Sequence, residues 1–149
     1  MRVLLAGVDG FCGFPLAEKL LSRNHTVFGI DCFHRRNIIH KLGLESIIPI
    51  KSVTERTKAL QKLGNYQFQK IDISTESDKL AELIKQFRPE AICNLAQQPS
   101  PAYSQKGIEE GRFTIRNNVN GLQNLFWLIV QNYLLEKKGT LQSFPYLRS

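Results

Sequence analysis

No run of about 18 consecutive apolar residues occurs in this 149-residue chain, so no membrane-spanning helix is expected. The N-terminus opens directly on a strand-like run. It lacks the charged, apolar and small-residue zones of a secretory leader, and the expected compartment is the cytoplasm. Cysteine is scarce and scattered: Cys12, Cys32 and Cys93 form no Cys-x-x-Cys pair, and the three histidines offer no partner spacing. That pattern excludes a disulfide framework and leads us to expect reduced thiols and no metal site. Internal repeats and low-complexity segments are absent. What is there is ordinary for one soluble globular domain with a real core: 42% hydrophobic and 22% charged residues. The net charge of +7 suits an acidic partner. A nucleotide phosphate or a nucleic acid would each fit; no nucleic-acid recognition motif accompanies the charge, and none is expected to bind.

Hydrophobic patterning gives the elements. Arg2 to Ala6 is a short apolar run stopped by Gly7, as in a buried parallel strand. Pro15 suits the first turn of the following helix, where Leu16, Leu20 and Leu21 recur at helical spacing. Thr26 to Ile30 is a second strand with Asp31 at its end. Cys32 to Pro49 reads as a long, partly ordered connection. Ser52 and Glu55 have capping-box spacing and start a helix that Gly64 closes. A third strand is expected over Phe68 to Ile73, a helix carrying Leu80, Leu83, Ile84 and Phe87 up to Pro89, and a fourth strand over Ala91 to Ala96. "QQPSPAYS" reads as a loop, its two prolines opposing helix or central strand. Val119, Leu122, Phe126, Ile129, Val130 and Tyr133 mark a long amphipathic helix, after which no fifth strand is evident. Strands alternating with helices imply right-handed crossovers and a parallel sheet.

The opening "MRVLLAGVDGFCGFPLAEKLL" places Gly7, Gly10 and Gly13 three apart between a strand and a helix. A helix N-terminus offers free N–H groups and partial positive charge, and glycine lets the backbone approach a diphosphate. Asp31 follows Gly13 by 18 residues, where a carboxylate can accept from adenosine ribose hydroxyls and repel a 2′-phosphate. NAD is therefore expected rather than NADP. Arg35 and Arg36 leave two readings open, a partner for a 2′-phosphate or a solvated basic loop. Asp72 at the third strand's end could bond the adenine amino group, with Ile73 against the ring, or could cap a turn. "NLAQQ", with Leu95 and Ala96, should end the fourth strand beside the nicotinamide ribose.

Together these residues resemble the extended short-chain dehydrogenase/reductase superfamily, the NAD-dependent epimerase/dehydratase group acting on nucleotide sugars. Within it "GVDGFCG", "DCFHRR", "LGLESIIPI", "QQPSPAYS" and "NNVNG" resemble the UDP-sulfoquinovose synthase family, from residue 1 to about Leu128. The resemblance implies an α/β chain with a Rossmann-type doubly wound parallel sheet, here incomplete. It implies one NAD-binding domain over 1–149, family-like to about 130, with no substrate domain. It further implies that Gly7, Gly10, Phe11, Cys12, Gly13, Asp31, Arg36, Asp72 and Ile73 touch NAD, and that Gln98, Ser100, Tyr103 and Asn118 face the sugar. The implied chemistry is oxidation of a UDP-glucose hydroxyl with NAD, giving a 4-keto intermediate, then elimination and sulfite addition. Gln97 and Pro99 depart from the acid and the arginine expected there.

Such enzymes use a Tyr-x-x-x-Lys pair, the lysine lowering the phenol's pKa so that the phenolate takes the hydroxyl proton. Two literal matches occur, Tyr66 with Lys70 and Tyr133 with Lys137; neither has the right context, so the catalytic residues stay unassigned. The chain reads as the NAD-binding part of a nucleotide-sugar enzyme that could form a homodimer. The alternative is a dinucleotide-binding module without activity of its own.

Overall fold

The computed structural model describes residues 1–46 and 48–135. Four parallel strands, β1 (Arg2–Ala6), β2 (Thr26–Asp31), β3 (Tyr66–Lys70) and β4 (Ala91–Asn94), lie in the order β3-β2-β1-β4. Strand order reverses between β1 and β4, so the loops after those two strands flank the crevice where open α/β sheets bind ligands. Among the described residues, no helix is long and apolar enough to cross a membrane.

Successive residues of β1 face opposite sides of the sheet, and each side carries its own core. Leu4 and Ala6 pack with Ile30, Ile71, Ile73, Leu80, Leu83, Ile84 and Leu125. Leu5 packs with Val8, Ala17, Leu21, Val27, Leu60 and Tyr66. The first side is covered by α4 (Ser77–Phe87) and α7 (Gly121–Ile129), the second by α1 (Gly13–Leu21) and α3 (Val53–Leu63). Helix α3 starts at the expected capping box: Ser52 Oγ accepts from the Glu55 amide, and the Glu55 carboxylate accepts from the Ser52 amide at 2.9 Å.

Several expectations are corrected. The segment after Cys32 is more ordered than expected, containing α2 (His34–Lys41). Nothing local nucleates α2: it has no side-chain cap, and Phe33 ahead of it holds a left-handed φ of 63°. Long-range contacts hold it instead. Asp9 in the β1 loop pairs with Arg36 of α2 and, at 2.8 Å, with Arg56 of α3, whose guanidinium stacks 4.0 Å above the Phe14 ring. Strand β3 begins two residues early and ends at Lys70, and β4 ends at Asn94. The proline loop contains one helical turn, α5 (Pro101–Ser104), capped by Ser100 Oγ. Pro101 sits at its first position, where a missing N–H costs nothing.

The final helix is also different. Helical structure runs through α6 (Ile108–Ile115), a π-helical turn Arg116–Asn120, α7, and a second π-helical stretch Val130–Leu135. Its inner face includes Asn117, Gly121, Leu125, Leu128, Ile129, Val130 and Tyr133, so Ile129, Val130 and Tyr133 of the expected stripe do face in. Of the expected stripe, Val119, Leu122 and Phe126 lie on the outside, Phe126 60% exposed, in line with exposed Ile115. The region where a fifth strand was sought, beyond Leu135, lies outside the described residues, as does Lys137.

Two outcomes follow from these ties. Asp9→Asn leaves two guanidinium groups facing a neutral amide on a carboxylate site only 10% exposed, and should lower unfolding free energy by about 2–3 kcal/mol in denaturant titration. Asp72, in the turn after β3, accepts from the Ser74 amide and hydroxyl and from His34. Burial alone would raise its pKa; the hydrogen bonds from Ser74 and His34 outweigh burial and hold it below its ordinary value. A depressed carboxylate pKa gives stability that is full above the unfolded value and lost as pH falls through the folded one. Unfolding free energies measured by denaturant titration from pH 6 to pH 3 should therefore fall less steeply in Asp72→Asn than in the parent, the slopes differing by at most about 1.4 kcal/mol per pH unit.

Candidate functional site

The turn from β1 into α1 is built by its glycines. Gly7 has φ +82°, and a Cβ there would lie 2.6 Å from the Leu95 carbonyl carbon. A Cβ on Gly13 would fall on the Gly7 carbonyl oxygen. Both positions are demanded by backbone packing at the strand-order reversal, with or without a ligand. Gly10 is less crowded, its notional Cβ 3.1 Å from the Gly7 oxygen. The Gly10 amide donates to Gly7 and the Phe14 amide to Gly10. Among the described residues no group accepts from the amides of Phe11, Cys12 and Gly13, and α1 has no side-chain N-cap. Phe11 stands 96% exposed beside them, and the Cys12 thiol is exposed too. Three amides with no acceptor among the described residues thus stand at a helix N-terminus, the kind of place where anions bind in other folds.

Asp31 closes the other edge of this turn. Its Oδ2 accepts from the Asp9 amide at 2.9 Å and its Oδ1 from the Phe33 amide at 2.8 Å. Burial raises its pKa, and the amides of Phe33 and Asp9 pull against that rise. Each oxygen retains acceptor capacity beyond its one amide. Arg36 grips both oxygens of Asp9 in the β1 loop and donates to the Lys51 carbonyl at 3.0 Å.

Beyond Asp31 lie three side chains that spacing did not connect. His34 Nε2 donates to Asp72 Oδ2 at 2.9 Å, with the imidazole edge-on to Phe113. Cys32 Sγ completes a group whose ligand atoms all lie within 4.8 Å of one another. Burial, with Asp72 and Asp31 nearby, pushes the Cys32 thiol up to about 11. The sequence offered no metal spacing because Asp72 is 38 residues from His34. Ile73 departs from expectation: its side chain is 3% exposed and packs in the core against Gly121. Only its backbone lies near the strand end, and its carbonyl accepts from Asn124.

Across the crevice the β4 loop is braced from within. Asn118 Oδ1 accepts from the Gln98 amide at 2.8 Å and its Nδ2 donates to the Gln98 carbonyl at 3.0 Å. Gln98 in turn holds both backbone groups of Ser100. Asn117, buried, reaches the Ala96 carbonyl. Gln98, Ser100 and Asn118 thus come together as the sequence suggested, but their polar atoms fix the loop. Tyr103 packs edge-on against Phe113, which brings this loop toward His34. Leu95 is exposed at the loop's start, and the Leu95–Ala96 peptide lies against Gly7.

The two Tyr-x-x-x-Lys matches lie elsewhere. Tyr66 is buried at the start of β3 while Lys70 is exposed. The Tyr133 hydroxyl donates to the Pro89 carbonyl, ahead of β4 and so at the end of the sheet away from the crevice. The residues that sequence reasoning missed are Asp9, Arg56, His34 and Asn117. Asp9 stood inside the quoted glycine loop, His34 inside "DCFHRR" and Asn117 inside "NNVNG", though no role was read for them there.

The family model described as GDP-mannose 4,6 dehydratase matches residues 4–143. The chain is 33% identical to the chloroplastic UDP-sulfoquinovose synthase of Spinacia oleracea, over 96% of this chain and 30% of that protein. It is 34% identical to the UDP-sulfoquinovose synthase of Sulfolobus acidocaldarius, over 79% of this chain and 30% of that one. It thus spans about a third of the length of these relatives. The UDP-glucose-4-epimerase of Stenotrophomonas maltophila, solved with bound NAD and formylated UDP-arabinopyranose, has the same fold at a TM-score of 0.67. Its identity is 18%, over 94% of this chain and 34% of that one. The chain belongs to the GDP-mannose 4,6 dehydratase family.

Proposed function

We propose that this chain is the NAD-binding part of an enzyme that modifies a nucleotide sugar of the UDP-glucose class through a 4-keto intermediate. The observation that carries the reading is the set of uncommitted amides at Phe11, Cys12 and Gly13, set at the strand-order reversal with a carboxylate at the end of the neighbouring strand. The family and the two sulfoquinovose synthase relatives support the substrate class.

The residues fit the cofactor. The amides of the glycine loop would hold its diphosphate. Asp31 would accept from the adenosine ribose hydroxyls, and Asp72 from the adenine amino group. Leu95 and Ala96 would border the nicotinamide ribose, and Phe11 would shield the diphosphate from water. Bound NAD supplies a hydride acceptor. The braced loop from Gln98 to Tyr103 gives the sugar a rigid wall. Asp31 would repel a 2′-phosphate, and two of the three Arg36 nitrogens are taken up by Asp9. A homodimer would cover the outer strip of Ile115, Val119, Leu122 and Phe126.

Isothermal titration calorimetry tests this. NAD should bind the chain, with NADP about 10-fold or more weaker. Asp31→Ala should weaken NAD by about 10- to 100-fold, the scale of lost hydrogen bonds to a charged group. Because Asp31 also anchors two amides, circular dichroism at the titration temperature must confirm that the variant is folded. Equal affinity for the two dinucleotides contradicts the role of Asp31, and no heat with NAD contradicts the whole reading.

A further inference from the structure

We propose that Cys32, His34 and Asp72 form a binding site for a thiophilic divalent cation of the zinc type, placed so that cation and dinucleotide exclude one another. Three features carry this. The Sγ, imidazole nitrogen and carboxylate oxygen lie mutually within 4.8 Å, and all three side chains are partly buried. Thiolate, imidazole and carboxylate together are the donor set that Zn²⁺ and Co²⁺ prefer over Mg²⁺ or Ca²⁺. Phe113 lies edge-on to the His34 ring, which fixes how the imidazole is presented.

The geometry is close to what tetrahedral coordination needs. Metal–sulfur and metal–nitrogen distances of about 2.3 and 2.0 Å put ligand atoms roughly 3.3–3.6 Å apart. His34 Nε2 and Asp72 Oδ2 already stand at 2.9 Å and would open slightly. The thiol would close in by at most about 1 Å. The cation takes the place of the His34 Nε2 proton, which moves by way of solvent to Nδ1 so that the imidazole stays neutral, and the Cys32 thiol releases its proton to solvent as the metal–sulfur bond forms. The fourth position is left to water, as in open three-ligand sites. Two carboxylates, Asp72 and Asp31, act on the Cys32 sulfur and supply local negative charge on an otherwise basic chain.

The exclusion half of the proposal rests on the reading of Asp72 as the carboxylate that meets adenine; the cation site itself does not. A cation on Asp72 takes up the acceptor the adenine amino group would use.

The test is a Co²⁺ titration of the reduced protein, followed by the thiolate-to-cobalt charge-transfer absorption. One equivalent should develop the band. Cys32→Ser should abolish it and Cys12→Ser should leave it, while His34→Ala should weaken binding by about 10-fold or more. Saturating Zn²⁺ should raise the apparent dissociation constant for NAD in the parent protein and leave it unchanged in Cys32→Ser. No band in the parent, or a band that survives Cys32→Ser, overturns the cation site. A normal band with NAD affinity indifferent to Zn²⁺ overturns the exclusion. Absence of NAD binding without any metal overturns the dinucleotide reading instead, and the cobalt spectrum still decides the site.

Discussion

The carboxylate of Asp31 holds the amide of Asp9, and much of the crevice depends on that bond. It fixes the glycine loop to the end of β2. The side chain of Asp9 then extends the tie to Arg36 and Arg56, and so to α2 and α3. A helix without a cap and a loop rich in glycine would each be costly to order alone. Chained through one small acid, they order each other. The arrangement keeps two acids, Asp9 and Asp31, side by side. The coulombic strain is relieved because each is met by donors: guanidinium groups for one, backbone amides for the other.

The four-strand frame was legible in the sequence because its signals are local. Apolar runs ended by glycine, the Ser52–Glu55 capping box and the stripe ending at Pro89 each depend on neighbours within a few residues. The misreadings have two causes, long-range override and an interrupted helical period. Helix α2 forms on the strength of Arg36 reaching Asp9, 27 residues away, which no window over "HRRNIIHK" reveals. The last helix was read with an ordinary period of 3.6. π-helical turns at Arg116–Asn120 and Val130–Leu135 interrupt that period, and Val119, Leu122 and Phe126 face outward while Ile129, Val130 and Tyr133 face in.

The site was legible in its positions and less so in its roles. Gly7, Gly13 and Asp31 stand where the motif put them, yet each also has a packing or anchoring duty that spacing cannot express. Asn118 and Gln98 look like groups awaiting a sugar when read as letters; in three dimensions the Asn118 side chain satisfies the Gln98 backbone and the Gln98 side chain that of Ser100, which braces a loop. The Cys32, His34 and Asp72 group escaped altogether, since β2 and β3 must pair before the three meet.

The Leu95–Ala96 peptide leaves no room for even a methyl group on Gly7, and Asn117 and Asn118 pin the residues that follow. The two lips of the crevice are therefore one mechanical body. A displacement of the β1 loop cannot be absorbed there; it is handed on to the β4 loop and from it to the π-helical turn. Whatever seats itself on the first lip also sets the position of the second, with no hinge between them.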